Sequence, residues 1–164
     1  MVRKLHIDIS SQTLTTLEDA SVVKTYSVST ALNGPGQQSG SGCTPTGKHY
    51  IRAKIGAEAA LGSVFVGRRL TGEIYSAQLA NAFPKRDWIL SRILWLSGLE
   101  LGHNRIKNNQ GSVDTMSRYI YIHGTPDSEP MGVPKSHGCI RMRNTDVIEL
   151  FNWVPAGCPV LIEI

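Results

Sequence analysis

Both ends of the chain alternate between apolar and polar residues, and this pattern constrains the fold more than any other feature of the sequence. Leucine or isoleucine stands at every odd position of residues 5–9, with His6 and Asp8 between them. Residues 160–164 repeat the alternation with valine and isoleucine. Alternating side chains lie on opposite faces of a β-strand. We therefore predict that the chain begins and ends in strands.

Short β-branched or apolar runs between these ends predict further strands. They lie at residues 13–17, 22–29, 49–55, 63–66 and 88–96. Glycine and serine predict a loop over residues 33–42. Residues 77–87 predict a surface loop or one short helical turn, because Pro84 excludes a long helix there. A length of 164 residues without internal repeats favours one domain over residues 1–164.

The last third of the chain predicts one strand and one helix before the final strand. Residues 117–123 alternate, which predicts that Tyr119, Tyr121 and His123 share one face of a strand. Asn144 is a favourable N-cap residue. Apolar residues then recur at the spacing of an amphipathic helix: Val147, Leu150, Phe151 and Val154. Pro155 and Gly157 end that helix, and the predicted fold is a mainly β, sandwich-like domain.

Composition and charge exclude several classes of protein. A net charge of +4, without a block of like charges or a basic-aromatic pattern, argues against nucleic-acid binding. No apolar stretch approaches the ~20 residues that a membrane span needs. After Met1–Lys4 a strand begins instead of the apolar core of a secretory signal, so we expect a cytoplasmic protein. Residues encoded upstream of Met1 would instead indicate the periplasm or cell envelope.

Two motifs and a group of possible metal ligands do not support a cofactor. Residues 42–48 match a phosphate-binding loop up to Lys48, but His49 replaces the Mg²⁺-binding hydroxyl and a strand follows. Residues 34–36 lack the spacing of a dinucleotide fingerprint. The possible ligands do not have the spacing of a zinc site; they are His103, His123, His137 and Cys139. We expect no cofactor and no metal.

Residues 136–142, Ser-His-Gly-Cys-Ile-Arg-Met, carry the strongest indication of chemistry. The chain has three cysteines, so at least one thiol is unpaired within it. A cysteine nucleophile requires a base and backbone N–H groups that stabilise the oxyanion. Gly138 allows close approach of substrate and is expected to turn its N–H inward. Cys139 and Arg141 are predicted to share one side, with Ile140 and Met142 in the core.

His123 and His137 are both possible bases for Cys139. Residues two apart on an extended segment lie ~6.5–7 Å apart, which makes His137 poorly placed for direct contact. His123 approaches from a neighbouring strand, so we expect it to be the base, with a cationic imidazole that lowers the thiol pKa. The alternative is a surface His123 beside an inert core thiol.

The chain resembles the L,D-transpeptidases, the YkuD-like enzymes that remodel peptidoglycan. The resemblance is carried by His123-Gly124-Thr125, by residues 136–142 and by Asn144. Residues 44–48 are similar to the family's Thr-Pro-x-Gly segment, residues 92–96 to its central strand, and residues 146–164 to its closing helix and strand. The resemblance therefore covers nearly the whole chain.

The resemblance implies a role for each matching residue. Cys139 would be the nucleophile and His123 the general base, while Ser136 and the backbone of His137-Gly138-Cys139 would support the loop and the oxyanion. Three residues would contact substrate: Tyr121, Gly124 and Arg141. For Arg141 an ion pair with Asp146 or Glu149 is the alternative.

The implied reaction begins on a tetrapeptide stem of peptidoglycan or on a muropeptide. Cys139 would form a thioester at the third stem residue, typically meso-diaminopimelate, with loss of D-alanine. The acceptor remains open: a second stem gives a 3–3 cross-link, a D-amino acid gives exchange, and water gives L,D-carboxypeptidase activity. Carbapenem β-lactams are the implied covalent inhibitors. A non-catalytic wall-binding module of the same fold is the rival interpretation.

Overall fold

Strands dominate the computed structural model, which describes residues 1–164. Twelve strands and two short helices follow one another along the chain. They are β1 (Arg3–Asp8), β2 (Thr13–Glu18), β3 (Ser21–Ser27), β4 (Gly47–Ile55), β5 (Ser63–Val66), β6 (Arg69–Ile74), α1 (Ala77–Ala82), β7 (Ile89–Gly98), β8 (Lys107–Asn108), β9 (Gly111–Ser112), β10 (Tyr121–Gly124), β11 (Ile140–Met142), α2 (Asn144–Trp153) and β12 (Pro159–Glu163). The mainly β fold is confirmed.

Ten of the strands form one sheet whose two ends meet. Its main order is β11-β10-β7-β4-β12-β1-β2-β3, and β5 and β6 extend from β7. The two termini lie side by side in the middle, because β1 pairs in parallel with β12. Beyond β3, Ser29 and Arg141 of β11 exchange backbone hydrogen bonds of 3.0 and 2.9 Å. The sheet therefore curves until its first and last strands meet.

A single main core fills the interior of this curved sheet. It contains 20 buried residues, drawn from both ends of the sheet and from α2. The predicted apolar face of α2 is confirmed, since Val147, Leu150, Phe151 and Val154 are all buried. The helix cap differs from the prediction. Arg143 is the N-cap residue, and Asn144 is the first residue of the helix.

Asn144 cannot cap the helix because its side chain is committed elsewhere. Its Oδ1 accepts a 2.7 Å hydrogen bond from Ser91 Oγ on β7. Its Nδ2 donates to the carbonyl of Thr125, 3.0 Å away. Asn144 therefore ties α2 to β7 and to the segment that follows His123.

The strand predicted over residues 117–123 begins only at Tyr121. Turn hydrogen bonds occupy the preceding residues, with Arg118 N–H donating to Asp114 and Tyr119 N–H to Met116. Tyr119 has φ of 57°, in the left-handed region, so it cannot share a strand face with Tyr121 and His123. This part of the prediction is wrong, because local turn bonds override the alternation.

Residues 77–87 contain the short helix α1 as one of the two predicted alternatives. Ser76 caps α1 by accepting a 3.0 Å hydrogen bond from the Leu79 N–H. The helix ends at Ala82, before Pro84. Neither α1 nor α2 has the length and apolarity needed to cross a bilayer.

Gly124 ends β10 at a point where the pairing between β10 and β7 shifts register. A Cβ atom here would collide with Asn144 Oδ1 and would lie 2.6 Å from the Leu90 carbonyl oxygen. Both neighbours are fixed, Leu90 by the sheet and Asn144 by its two hydrogen bonds. Only glycine fits beside His123 at this position.

We predict that Gly124→Ala destabilises the fold by about 1–3 kcal/mol, the usual cost of forcing extra atoms into a packed core. The midpoint of chemical denaturation, followed by tryptophan fluorescence, measures this change. An unchanged midpoint would show that Asn144 and Leu90 can move apart without cost.

Candidate active site

A cavity of about 530 Å³ opens at the end of the sheet formed by β10 and β11. Most residues predicted for the site line it: Tyr121, His123, Ser136, His137, Cys139 and Arg141. Gly124 and Gly138 do not line the cavity. Gly124 is packed between Leu90 and Asn144, and its contact with substrate stays a prediction.

The parallel pairing of β10 with β11 brings the cysteine and the histidine to one cavity. Ile122 lies opposite Ile140, and His123 lies opposite Arg141. Alternation along both strands then buries Ile122, Ile140 and Met142 in the main core. The residues that alternate with them, Tyr121, His123 and Arg141, face the cavity, as the sequence predicts.

Ser136 braces the turn that leads into Cys139. Its hydroxyl donates to the Cys139 carbonyl at 2.5 Å and accepts from the Gly138 N–H at 3.2 Å. Its own backbone N–H donates to the carbonyl of Thr30 at 2.9 Å. Ser136 is therefore a positioning residue, consistent with the support expected of it.

Gly138 has φ of 137°, a conformation that side chains of L-residues rarely adopt. Its carbonyl accepts a 2.8 Å hydrogen bond from Thr44 Oγ1, and a Cβ atom would lie 3.2 Å from Ile120 Cδ1. Its N–H donates to Ser136 Oγ, and its expected approach to substrate stays a prediction. The N–H groups of His137 and Cys139, by contrast, donate to no protein acceptor.

The Cys139 thiol is held by backbone groups on both sides. The Tyr121 N–H donates to Sγ at 3.3 Å, and the thiol donates to the Tyr119 carbonyl at 3.4 Å. Tyr119, with its left-handed backbone, belongs to the turn that precedes β10. Burial raises the pKa of Cys139 to about 12, although the Tyr121 N–H, Arg141 and Arg118 act in the opposite direction. The thiol is thus protonated at neutral pH.

His123 is buried and is neutral at neutral pH. Its Nδ1 lies 2.6 Å from the Gly124 carbonyl oxygen. Burial lowers the pKa of His123, more than the nearby Asp87 raises it. No hydrogen bond joins its ring to Cys139. Burial disfavours charge on both groups, so these pKa shifts do not support the expected cationic imidazole that lowers the thiol pKa.

Arg141 lines the cavity, but carboxylates hold its side chain. Its guanidinium lies 3.5 Å from Asp87 and 3.5 Å from Glu129. The sequence analysis considered an ion pair of Arg141 with Asp146 or Glu149. Arg141 does form ion pairs, but with Asp87 and Glu129. Glu149 instead accepts hydrogen bonds from Lys24 and Tyr26.

Several cavity residues were not identified from the sequence. Arg68 lies in the β5–β6 turn, Asp87 precedes β7, and Arg118 and Tyr119 precede β10. None belongs to a motif. Arg68 reaches the cavity because β5 pairs with β7, the strand beside β10, whereas Arg118 and Tyr119 lie in the turn directly before β10. Arg118 also binds the loop over residues 36–43, with its Nη2 2.6 Å from the Cys43 carbonyl oxygen.

The site contains no arrangement suited to a metal ion. No three side chains from histidine, cysteine, aspartate and glutamate lie together. The cavity does hold a thiol and an imidazole, with the free backbone N–H groups of His137 and Cys139 beside them.

The family model of the YkuD L,D-transpeptidase catalytic domain matches residues 3–162. The chain belongs to this family. A Bacillus subtilis protein named "Putative L,D-transpeptidase YkuD" is 54% identical to this chain over 50 residues, which are 30% of either protein. Thus the aligned part is under a third of that relative's length.

Solved L,D-transpeptidases share the fold of this family member over almost its whole length. L,D-transpeptidase 3 from Mycobacterium tuberculosis, in complex with a faropenem-derived adduct, superposes with a TM-score of 0.59 at 17% identity. LdtMt1 in complex with imipenem gives 0.57, also at 17% identity. Each superposition covers 99% of this chain, and 60% and 59% of the respective structure.

We predict that alkylation of Cys139 by iodoacetamide rises about tenfold per pH unit from about pH 7 to pH 10, since the thiolate reacts and its fraction grows below the pKa. Peptide mapping by mass spectrometry distinguishes Cys139 from Cys43 and Cys158. A plateau below about pH 9 would contradict a burial-raised pKa. Cys139→Ser is the control for assigning the modified peptide.

Proposed function

We propose that this chain is the catalytic domain of a cysteine L,D-transpeptidase that acts on tetrapeptide stems of peptidoglycan. The observation that carries the proposal is the 2.6 Å contact between His123 Nδ1 and the Gly124 carbonyl. A carbonyl oxygen only accepts hydrogen bonds, so Nδ1 carries the ring proton. Nε2 then keeps a free lone pair, which is what a general base requires.

The first half-reaction starts from a neutral thiol and a neutral imidazole. Cys139 Sγ attacks the carbonyl carbon at the L-centre of the third stem residue, while the thiol proton passes to His123 Nε2. The tetrahedral intermediate then breaks its C–N bond. His123 returns the proton to the departing amine of D-alanine, and a thioester remains on Cys139.

Two backbone groups support the charge that develops on the substrate oxygen. The N–H groups of His137 and Cys139 have no protein acceptor, and they flank the turn that Ser136 braces. Preorganised N–H donors of this kind stabilise an oxyanion without reorganisation during the reaction. Arg141 also contacts this turn, because its Nη1 lies 3.4 Å from the carbonyl oxygen of Lys135, the residue before Ser136.

The second half-reaction transfers the acyl group to an amine. The amine attacks the thioester, His123 accepts its proton, and the proton returns to sulfur as the thiolate leaves. A second stem gives a 3–3 cross-link and a D-amino acid gives exchange. Water in place of the amine gives L,D-carboxypeptidase activity.

Carbapenems are proposed as covalent inhibitors of the same thiol. A related fold is known in complex with imipenem and another with a faropenem-derived adduct. The strained β-lactam amide presents a carbonyl comparable to that of the donor stem. We expect one adduct per chain, located on Cys139.

We predict that Cys139→Ala abolishes D-alanine release from a tetrapeptide stem, whereas Cys43→Ala and Cys158→Ala retain at least part of it. Neither Cys43 nor Cys158 lines the cavity. Mass spectrometry of the protein and of released D-alanine measures both acylation and turnover. Normal release by Cys139→Ala would overturn the nucleophile assignment.

The same experiment tests the rival interpretation. A non-catalytic wall-binding module would bind the tetrapeptide but would form no acyl adduct and release no D-alanine. Binding without either product in the wild-type protein would therefore favour the module.

We predict that His123→Ala slows acylation ~10²–10⁴-fold, the usual contribution of a general base. Because His123 is neutral, its removal should leave the pH dependence of Cys139 alkylation almost unchanged. His137 is exposed and makes no hydrogen bond, so His137→Ala is the matched comparison and should cost less in acylation rate. If His137→Ala lost more of the acylation rate than His123→Ala, His137 would be the general base instead of His123.

A further inference from the structure

Arg68 presents a guanidinium that is fixed in place at the edge of the cavity. The group lies 4.6 Å from the ring centroid of Trp95 and 4.9 Å from that of Tyr119. Its Nη1 donates a 2.9 Å hydrogen bond to the Tyr121 hydroxyl. Two rings and one hydrogen bond thus hold a long side chain that would otherwise be mobile, which lowers the entropic cost of binding a ligand.

The guanidinium of Arg68 has no anionic partner, unlike that of Arg141. Arg141 lies between Asp87 and Glu129, which balance its charge. No carboxylate lies within salt-bridge distance of Arg68, and a neutral phenol is its one hydrogen-bond acceptor. An arginine has five N–H donors, so Arg68 retains several for a ligand.

Arg118, the third arginine of the cavity, is also engaged. Its terminal nitrogens bond to oxygen atoms of one loop, namely those of Gly36, Gln37, Ser41 and Cys43. Arg118 is half-buried, and this burial lowers its pKa. Arg68 therefore remains the cavity cation with free donors and an unbalanced charge.

Tyr121 connects Arg68 to the reacting sulfur. Its backbone N–H donates to Cys139 Sγ, and its hydroxyl accepts from Arg68. The guanidinium and the thiol are thus linked through a single residue, Tyr121. A substrate with its carbonyl at Sγ can reach Arg68 with a group several bonds away.

We propose that Arg68 is a specificity-determining residue that binds a carboxylate of the donor stem. The proposal rests on the proposed function, because it takes the electrophilic carbonyl to be at Cys139. A planar guanidinium recognises a carboxylate through paired N–H donors. Two carboxylates lie within several bonds of the scissile carbonyl: that of the terminal D-alanine, and the side-chain carboxylate of a third-position diaminopimelate.

Binding to a protein with the Cys139→Ala substitution tests this without turnover. Calorimetry would measure the affinity of two proteins for three peptides. One protein carries Cys139→Ala alone, and the other carries Cys139→Ala together with Arg68→Gln. The three peptides are the diaminopimelate tetrapeptide, its terminal amide, and the tetrapeptide with lysine in the third position. We expect Arg68→Gln to weaken binding of the first peptide about 10- to 100-fold, as for lost hydrogen bonds to a charged group. Arg68→Lys should restore part of the affinity.

The two modified peptides identify the carboxylate. The modified peptide that lacks the carboxylate bound by Arg68 should bind almost equally to the protein with Arg68 and to the protein with Arg68→Gln. An equal loss on all three peptides, or no loss on any, would overturn the proposal, because a merely structural Arg68 does not distinguish carboxylate from amide.

Arg52→Gln is the matched control. Arg52 lies 5.6 Å from the same Trp95 ring, but it is exposed and does not line the cavity. It should leave all three affinities unchanged. D-Alanine release by the wild-type protein is measured separately. Its absence would count against the proposed function, whereas an unaltered affinity in Arg68→Gln would count against the carboxylate site alone.

Discussion

The parallel pairing of β10 with β11 is the constraint on which the site depends. A strand of four residues and one of three cannot be held together by their own few hydrogen bonds. They are held because β7 supports β10 on one side, while Ser29 exchanges two backbone hydrogen bonds with Arg141 on the other. The register of the two strands is thus fixed by β7 and by Ser29, which precedes Arg141 by more than a hundred positions.

Burial has the largest effect on the charges in this site. It favours the neutral forms of both the imidazole of His123 and the thiol of Cys139. The resting pair therefore differs from a preformed ion pair, and proton transfer accompanies attack on the substrate. Charge is instead concentrated on the arginines around the cavity, where Arg141 is balanced by acids and Arg68 is not.

The sequence was sufficient to predict most of the elements. The alternation of residues 5–9 and 160–164 predicts β1 and β12, and the spacing of Val147, Leu150 and Phe151 predicts α2. Cys139, His123 and Ser136 were found because each belongs to a short motif with a chemical reason for its residue types. Such features are local, so a single sequence reveals them.

The predictions that failed concern residues for which several hydrogen-bond partners compete. Tyr119 alternates like a strand residue, but turn bonds hold it in the left-handed region. Asn144 has a side chain suited to cap a helix, but that side chain is hydrogen-bonded to Ser91 and to the Thr125 carbonyl instead. Arg68 and Asp87 carry no motif, and the pairing of β5, β7 and β10 brings them to the cavity of Cys139. Which of several available partners a polar side chain takes depends on tertiary structure.

The raised pKa of the half-buried Cys139 thiol also bears on its oxidation. Peroxides oxidise thiolates far more readily than protonated thiols, and sulfinic and sulfonic acids are not readily reversed. A nucleophile that stays protonated until a substrate occupies the cavity reacts slowly with small oxidants and stray electrophiles. The environment that makes Cys139 a weak nucleophile at rest therefore preserves it chemically between turnovers.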